Sequence, residues 1–298
     1  DLAFLPVIYE AQPDDDWTDT EVWARANPNL GVSVSLEYLQ RECRRAQETP
    51  TYENTFKRLH LNMRTQQDVR WLSLEAWDAC GDVPVTEESL AGRECYAGLD
   101  LSSTMDISAL VLAFSDEDGG KTLLPYFWVP ADNARKRERR DRVPYVAWSQ
   151  QGLIELTPGN VVDYDRIRAK INELGQRFDI REIAIDRWNS TQLAAQLQGD
   201  GFEIVAFGQG FRDMTAPAKE LEKLIVSGQL RHGGHPVLRW MASNVAAETD
   251  AAGNIKPSKK KSTERIDGIV AAVMALGRVL VQPERVRSVY ETRGLLSI

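Results

Sequence analysis

Between residues 95 and 129 three apolar segments follow one another, CYAGLDL (95–101), ISALVLAFS (107–115) and KTLLPYFWV (121–129), separated by short polar turns. Strand-forming residues at that density, broken only by short polar connections, predict an antiparallel meander. Helical and strand patterns then alternate. A helix is expected after Asp163 (YDRIRAKINELGQRF), a strand at 181–186 (REIAID), a helix closing on glycine (NSTQLAAQLQGDG), a strand at 202–207 (FEIVAF) and a helix at APAKELEKLIVSGQL. Three meandering strands, a helix, a strand, a helix and a strand define an α/β chain with one mixed sheet and helices on both faces. VLRWMASNVAAETD and GNIKPSKK are expected to pair as a hairpin about Ala251–Gly253, and ERIDGIVAAVMALGRVLV (264–281) is the last long helix.

The first 84 residues read differently. Residues 2–10 (LAFLPVIYE) are expected to be a strand, followed by a short helix capped by Thr18 or Asp19, a helix after Ser35 ending at Pro50, and a helix over YENTFKRLHLNM. WLSLEAWDACGD (71–82) predicts one more helix, capped by Ser73 and closed by Gly81. This part has little core of its own, and the expected division is 1–84 against 85–298. The chain starts at Asp1 inside what reads as a strand, which suggests a piece of something longer.

Composition removes several function classes. At 43% hydrophobic and 27% charged the chain is ordinary for a globular protein. It contains no run of about 18 apolar residues, so no membrane span is expected, and its start lacks the pattern of a signal peptide. Cys43, Cys80 and Cys95 are far apart with no CxxC, which fits neither a zinc ribbon nor a disulfide framework and suits a reducing, cytoplasmic setting. With only His60, His232 and His235, a histidine-rich metal site is excluded; any metal must sit on carboxylates, as Mg²⁺ or Mn²⁺ does. The net charge of -8 is concentrated early: the first 84 residues carry 15 acidic and 8 basic residues, the rest 29 and 28. Nucleic-acid binding needs a local basic surface more than a basic total, so charge does not decide the matter.

Three acids stand out by position. Asp100 ends the apolar strand YAGLD and Asp186 ends EIAID in the same way. In the inferred topology these two strands are neighbours, so their carboxylates converge, and converging acids repel unless a cation or proton neutralises them. Asp267 lies in the first turns of the last helix, one residue from the apolar stripe Ile266, Ile269, Val270, Val273, Met274 and Leu276, with Gly268 beside it. The helix dipole favours an acid there by roughly 0.3–1 kcal/mol but does not require one at the edge of a buried face. Three acids on three rigid elements around one point describe a two-metal site, with two cations about 3.5–4 Å apart serving phosphodiester hydrolysis.

Other residues are less determined. Asp106 is an outer metal ligand or fixes the turn after the first strand. Asn244 contacts substrate or caps the hairpin, and His232 and His235, flanking a GG turn, have a loop role or touch DNA. The basic run Arg135–Arg142 is interleaved with acids and reads as a solvated face. Lys256, Lys259, Lys260 and Lys261 lead directly into Asp267, and lysines so near a carboxylate cluster suggest a polyanionic substrate.

The segments GLDLSSTMDISALV, PYFWVP, VPYVAW, LTPGNVVDY, EIAIDRW, the QGF of GQGF, HGGHPVLRWMASN and ERIDGIVAAVMALGR, in this order, resemble the large terminase subunit of tailed phages. The resemblance runs from about Asp1 to Arg278. It implies a ribonuclease H-like nuclease domain over 85–298, preceded by a small, mostly helical remnant of a packaging ATPase domain over 1–84. It further implies cutting of concatemeric viral DNA during genome packaging, with Asp100, Asp186 and Asp267 as the catalytic, metal-binding acids and two Mg²⁺ or Mn²⁺ ions as cofactors. The implied partners are double-stranded DNA, the portal protein and the small terminase subunit, met in the host cytoplasm and transiently at the procapsid portal. No GxxxxGK[ST] loop and no apolar strand ending in DE occur, so ATPase activity is not expected and the motor's first part reads as missing. The alternatives are a non-catalytic docking module of the motor, or another ribonuclease H-superfamily nuclease such as a resolvase.

Overall fold

The computed structural model describes residues 7–12, 14–63, 71–102, 107–132, 134, 138, 143–186, 191–262 and 264–281. In the first part, α1 (Thr20–Ala26), α2 (Leu36–Glu48) and α3 (Pro50–Leu61) are capped or started as the sequence indicates: Asp19 accepts from Glu21 N, Ser35 accepts from Tyr38 N, and Pro50 opens α3. Trp23, Leu39, Cys43, Phe56 and Leu61 bury themselves together, so this region does have a core, small and separate from the sheet's. Of the expected strand at 2–10, residues 7–10 are irregular and residues 2–6 lie outside the described residues.

Helix α4 (Leu74–Ala79) is capped by Ser73, as expected. Trp71, Leu72, Trp77 and Cys80 belong to the sheet's core rather than to the helical one, so the two cores separate before residue 71 and not at 84. Four residues of helix, α5 (Glu87–Leu90), lead into the sheet.

The meander forms as read. Strands β1 (Glu94–Asp100), β2 (Ser108–Ser115) and β3 (Lys121–Pro130) pair antiparallel, with Asp100 opposite Ala109 and Ser108 opposite Trp128. After α6 (Tyr145–Gln150), the short strand β4 (Glu155–Thr157), absent from the sequence reading, pairs parallel with β3. Helix α7 (Tyr164–Arg177), capped by Asp163, leads into β5 (Asp179–Asp186), which lies parallel beside β1. Helix α8 (Thr191–Gly199) connects to β6 (Ile204–Phe207), giving the order β4-β3-β2-β1-β5-β6, with β7 (Leu230–Arg231) beside β3. The charged segment at 131–142 falls largely outside the described residues.

Two helices complete the second face, α9 (Phe211–Val226) and α10 (Pro236–Asn244). The latter corrects the expected hairpin: VLRWMASN is helical, and only β8 (Ala247–Thr249) and β9 (Ile255–Pro257) pair around the turn. Pro236 at the first helical position and the buried Val237, Leu238, Met241 and Ala242 give a helical period that a hairpin arm does not have. The last helix, α11 (Asp267–Val281), is buried all round from Asp267 to Gly277, as a helix apolar on every side must be.

Alternation along the strands sorts the faces. Ala97, Leu99, Leu110, Leu112, Ile183 and Ile185 face α7 and α8, whereas Ala109, Val111, Ala113 and Ala184 face α11. Gly98 shares that second face, and a Cβ there would run into the Ala271 carbonyl oxygen. The helix therefore rests directly on the backbone of β1. Among the described residues no helix is long and apolar enough to cross a membrane.

Candidate active site

The same alternation aims the acids. Asp100 is two residues beyond Gly98 and Asp186 two beyond Ala184, so both carboxylates leave the sheet on the side of α11. Leu99 and Ile185 are paired across the parallel ladder, which sets Asp100 and Asp186 side by side at the strand ends. The loop after β1 is tied down: Ser102 N donates to Ser108 Oγ at 3.0 Å, and Tyr164 Oη donates to the Ser102 carbonyl at 2.9 Å. Asp267 is the first residue of α11, and the close seat of that helix brings it to Asp100. Gly268 has a packing reason of its own, because a Cβ there would meet Phe127 at 2.8 Å and Met241 Sδ at 2.9 Å.

Asp100 and Asp267 are buried at 3% and 4% exposure, which is costly for two like charges unless a cation joins them. Lys259 is that cation, with Nζ donating to Asp100 Oδ2 and to Asp267 Oδ1, both at 2.7 Å. Gln209 Nε2 donates to Asp100 Oδ1 at 3.1 Å. Asp267 Oδ2 is buried with no hydrogen-bond partner. Burial pushes the Asp100 carboxyl up to about 6; Lys259 opposes the rise and Asp267 adds to it. At Lys259 burial works against the charge, but attraction to the two carboxylates outweighs it and raises the ammonium above its ordinary value.

The site residues named from sequence thus fall into groups. Asp100 and Asp267 meet through Lys259. Asp186 ends the adjacent strand, half-buried, but among the described residues no three Asp, Glu, His or Cys side chains come together as a group that could hold a metal ion. Lys259 stands on the acids instead of reaching out towards a phosphate, Lys260 and Lys261 are exposed on the turn after β9, and Lys256 lies over the Phe211 ring at 5.0 Å and 3.7 Å from Glu248. Asp106 lies outside the described residues. His232 stacks on Trp77 at 4.3 Å and hydrogen-bonds its carbonyl at 2.8 Å, with burial lowering its pKa. His235 is likewise pushed down to about 4 by burial, with His232 adding to the fall, and sits 5.4 Å from the Phe127 ring. His232 is buried and His235 half-buried on the turn that leads into α10. Asn244 Nδ2 donates to the Arg265 carbonyl at 3.5 Å, tying α10 to the approach of α11. Gln209 was not singled out from sequence; its only signal was its place in the QGF segment.

The donor set suits a hard divalent cation: buried carboxylates, one oxygen without a partner, and a single positive charge where two negative ones converge. A mixed sheet in this strand order, with acids at the paired ends of its first and fifth strands, defines a ribonuclease H-like protein. Within that class, residues 1–282 match the family described as terminase large subunit, endonuclease domain, and the chain belongs to it. The chain is 41% identical over 272 residues to the terminase large subunit of Enterobacteria phage HK97, covering 91% of this chain and 53% of that protein. The crystal structure of the HK97 bacteriophage large terminase matches with a TM-score of 0.65 over 91% of this chain and 56% of that one. Protein YmfN of Escherichia coli (strain K12) is 33% identical over 285 residues, covering 92% of this chain and 63% of that protein. The chain therefore spans only 53% and 63% of the length of these two relatives.

Proposed function

We propose that this chain is a metal-dependent DNA endonuclease that cuts concatemeric viral DNA during genome packaging, by two-metal phosphodiester hydrolysis. The observation that carries the reading is the buried Asp100–Asp267 pair, held at the mouth of the sheet with less positive charge than it needs and beside the end of Asp186's strand. A docking module would have no use for negative charge buried at such cost. In this reading Asp100, Asp186 and Asp267 hold two Mg²⁺ or Mn²⁺ ions, which when bound activate water and stabilise the leaving oxygen. Gln209 fixes one oxygen of Asp100 so that the other faces the site. Lys260 and Lys261, exposed on the turn before α11, neutralise phosphates and set the duplex across the acids without reading bases.

The portal protein and the small terminase subunit are the proposed partners, and the packaging ATPase domain the proposed neighbour of residues 1–63. Nicking of supercoiled plasmid with Mn²⁺, compared with the same reaction in EDTA, tests the activity. Metal-dependent nicking is expected, without ATP turnover; no nicking by folded protein at any Mn²⁺ concentration would remove the endonuclease reading.

A further inference from the structure

Lys259 is an unusual partner for a metal-binding pair. Its ammonium occupies the point between Asp100 Oδ2 and Asp267 Oδ1, at 2.7 Å from each, and so takes up the carboxylate oxygens that would hold a cation. It supplies one positive charge to two buried negative ones, and Asp267 Oδ2 is left without a partner. A divalent cation would compensate the pair more completely than the ammonium does.

The side chain is also built to leave. Its ammonium is held by two buried carboxylates, yet 49% of its side-chain surface is open, so much of the stem lies along the protein surface. The backbone around it is pinned. Ser258 N donates to the Ala246 carbonyl at 2.9 Å, Ser262 N to the Ser258 carbonyl at 3.0 Å, and Ala246 N to Ser262 Oγ at 3.0 Å. Withdrawal then needs rotation about the bonds of one flexible side chain and no movement of the loop.

We propose that Lys259 is an internal counter-ion that holds the Asp100–Asp267 pair together without metal and is displaced when a divalent cation binds there. The inference rests on the reading of the acids as a cation site. It makes Lys259 a positioning residue and a competitor of the metal, not a ligand. Once displaced, its ammonium joins Lys260 and Lys261 on the exposed turn.

Amine acylation of the unaltered 298-residue chain, followed by peptide mapping, reads the displacement directly. Lys259 should react slowly without metal and severalfold faster in saturating Mn²⁺, while Lys260 and Lys261 keep their rates. Calorimetric titration with Mn²⁺ supplies a second readout. Lys259→Met, which keeps the stem and removes the charge, should bind Mn²⁺ about tenfold more tightly, equivalent to roughly 1.4 kcal/mol. Its metal-free form should melt lower than the parent and recover in Mn²⁺. Lys259→Arg, which keeps the charge and can bridge both carboxylates, should bind Mn²⁺ no more tightly than the parent. Mn²⁺ binding with Lys259 reactivity unchanged, or with Lys259→Met no tighter than the parent, would overturn the counter-ion role and leave the metal site standing. No Mn²⁺ binding by either folded protein would overturn both.

Discussion

Two acid–cation clusters stand at opposite ends of the same strand ladder and behave in opposite ways. Just beyond the end of β2, Asp116 accepts from Arg93 Nη2 at 2.8 Å, Thr122 Oγ1 at 2.8 Å and Arg231 Nη1 at 2.6 Å. At the other end, opposite the second residue of β2, Asp100 shares one ammonium with Asp267. Burial would raise the Asp116 carboxyl, but its bonds to Arg93, Thr122 and Arg231 outweigh that and hold it below the ordinary value. Asp100 is pushed up to about 6. The chemistry is alike, acids with basic partners, and only the balance differs. Asp116 and its neighbour Asp118 are matched by two guanidiniums, Arg93 and Arg231, and form a staple; Asp100 and Asp267 share a single ammonium and carry a demand for more. Unmet charge, rather than the presence of an ion pair, marks a candidate site.

The largest expected effect separates the clusters by chemistry. Asp100→Asn, Asp186→Asn and Asp267→Asn should each lower Mn²⁺-dependent plasmid cleavage about a thousandfold or more, as losing several kcal/mol of transition-state stabilisation requires. Thermal unfolding should move little, because the amides keep the shape and, at Asp100 and Asp267, relieve a buried charge that one ammonium compensates only in part. Near-normal cutting by any two of these variants would leave the acids as ordinary structure.

Next comes the contact that brings the second cluster together. Gly98→Ala drives a methyl group against the Ala271 carbonyl, and backbone cannot yield as a side-chain tip can. A loss of about 3 kcal/mol in urea unfolding is expected, together with reduced cleavage as Asp267 shifts from Asp100. A loss below about 1 kcal/mol would show that α11 is not seated on β1 as closely as described.

Asp116→Asn tests the staple. It should cost roughly 1–2 kcal/mol, discounted for the partial exposure of the arginines, and leave cleavage unchanged. The sign with pH follows from its lowered pKa: the stability Asp116 contributes is present above the ordinary value of 3.8 and lost as pH falls through its depressed one. The variant's melting temperature should therefore converge on the parent's in acid; a constant gap across that range would remove the charge from the explanation. The smallest effect belongs to the turn after β9. Replacing Lys260 and Lys261 together by alanine should flatten the salt dependence of duplex binding by about two log–log units, at roughly 0.9 per phosphate lost. An unchanged slope would make these lysines solvated surface.

Much of this protein was legible because its signals are local. The apolar segments of the meander, the caps at Ser35, Ser73 and Asp163, and the strand-end positions of Asp100 and Asp186 all follow from spacing within a few residues. The mixed sheet with helices on both faces follows from the order of those elements. The helix at 236–244 is legible in its proline start and its period, but the true hairpin that follows it lends the same stretch the look of a hairpin arm. The small core of residues 11–61 was harder, since Trp23, Leu39 and Phe56 come from three helices whose mutual packing no short window displays.

The sequence by itself determined which residues carry negative charge on rigid elements, since strand periodicity and helix starts are properties of neighbouring residues. Only the tertiary structure decided what surrounds that charge. Asp267 reaches Asp100 across 167 positions because Gly98 lets α11 settle on β1. Gln209 reaches Asp100 because α9 and α11 share a face of the sheet. Lys259 is one of four lysines in a short stretch, with nothing local to distinguish it from Lys260. It turns inward because the loop after β9, pinned to Ala246, aims that one stem at a pair of carboxylates whose need for a cation exists only once the strand and helix have met.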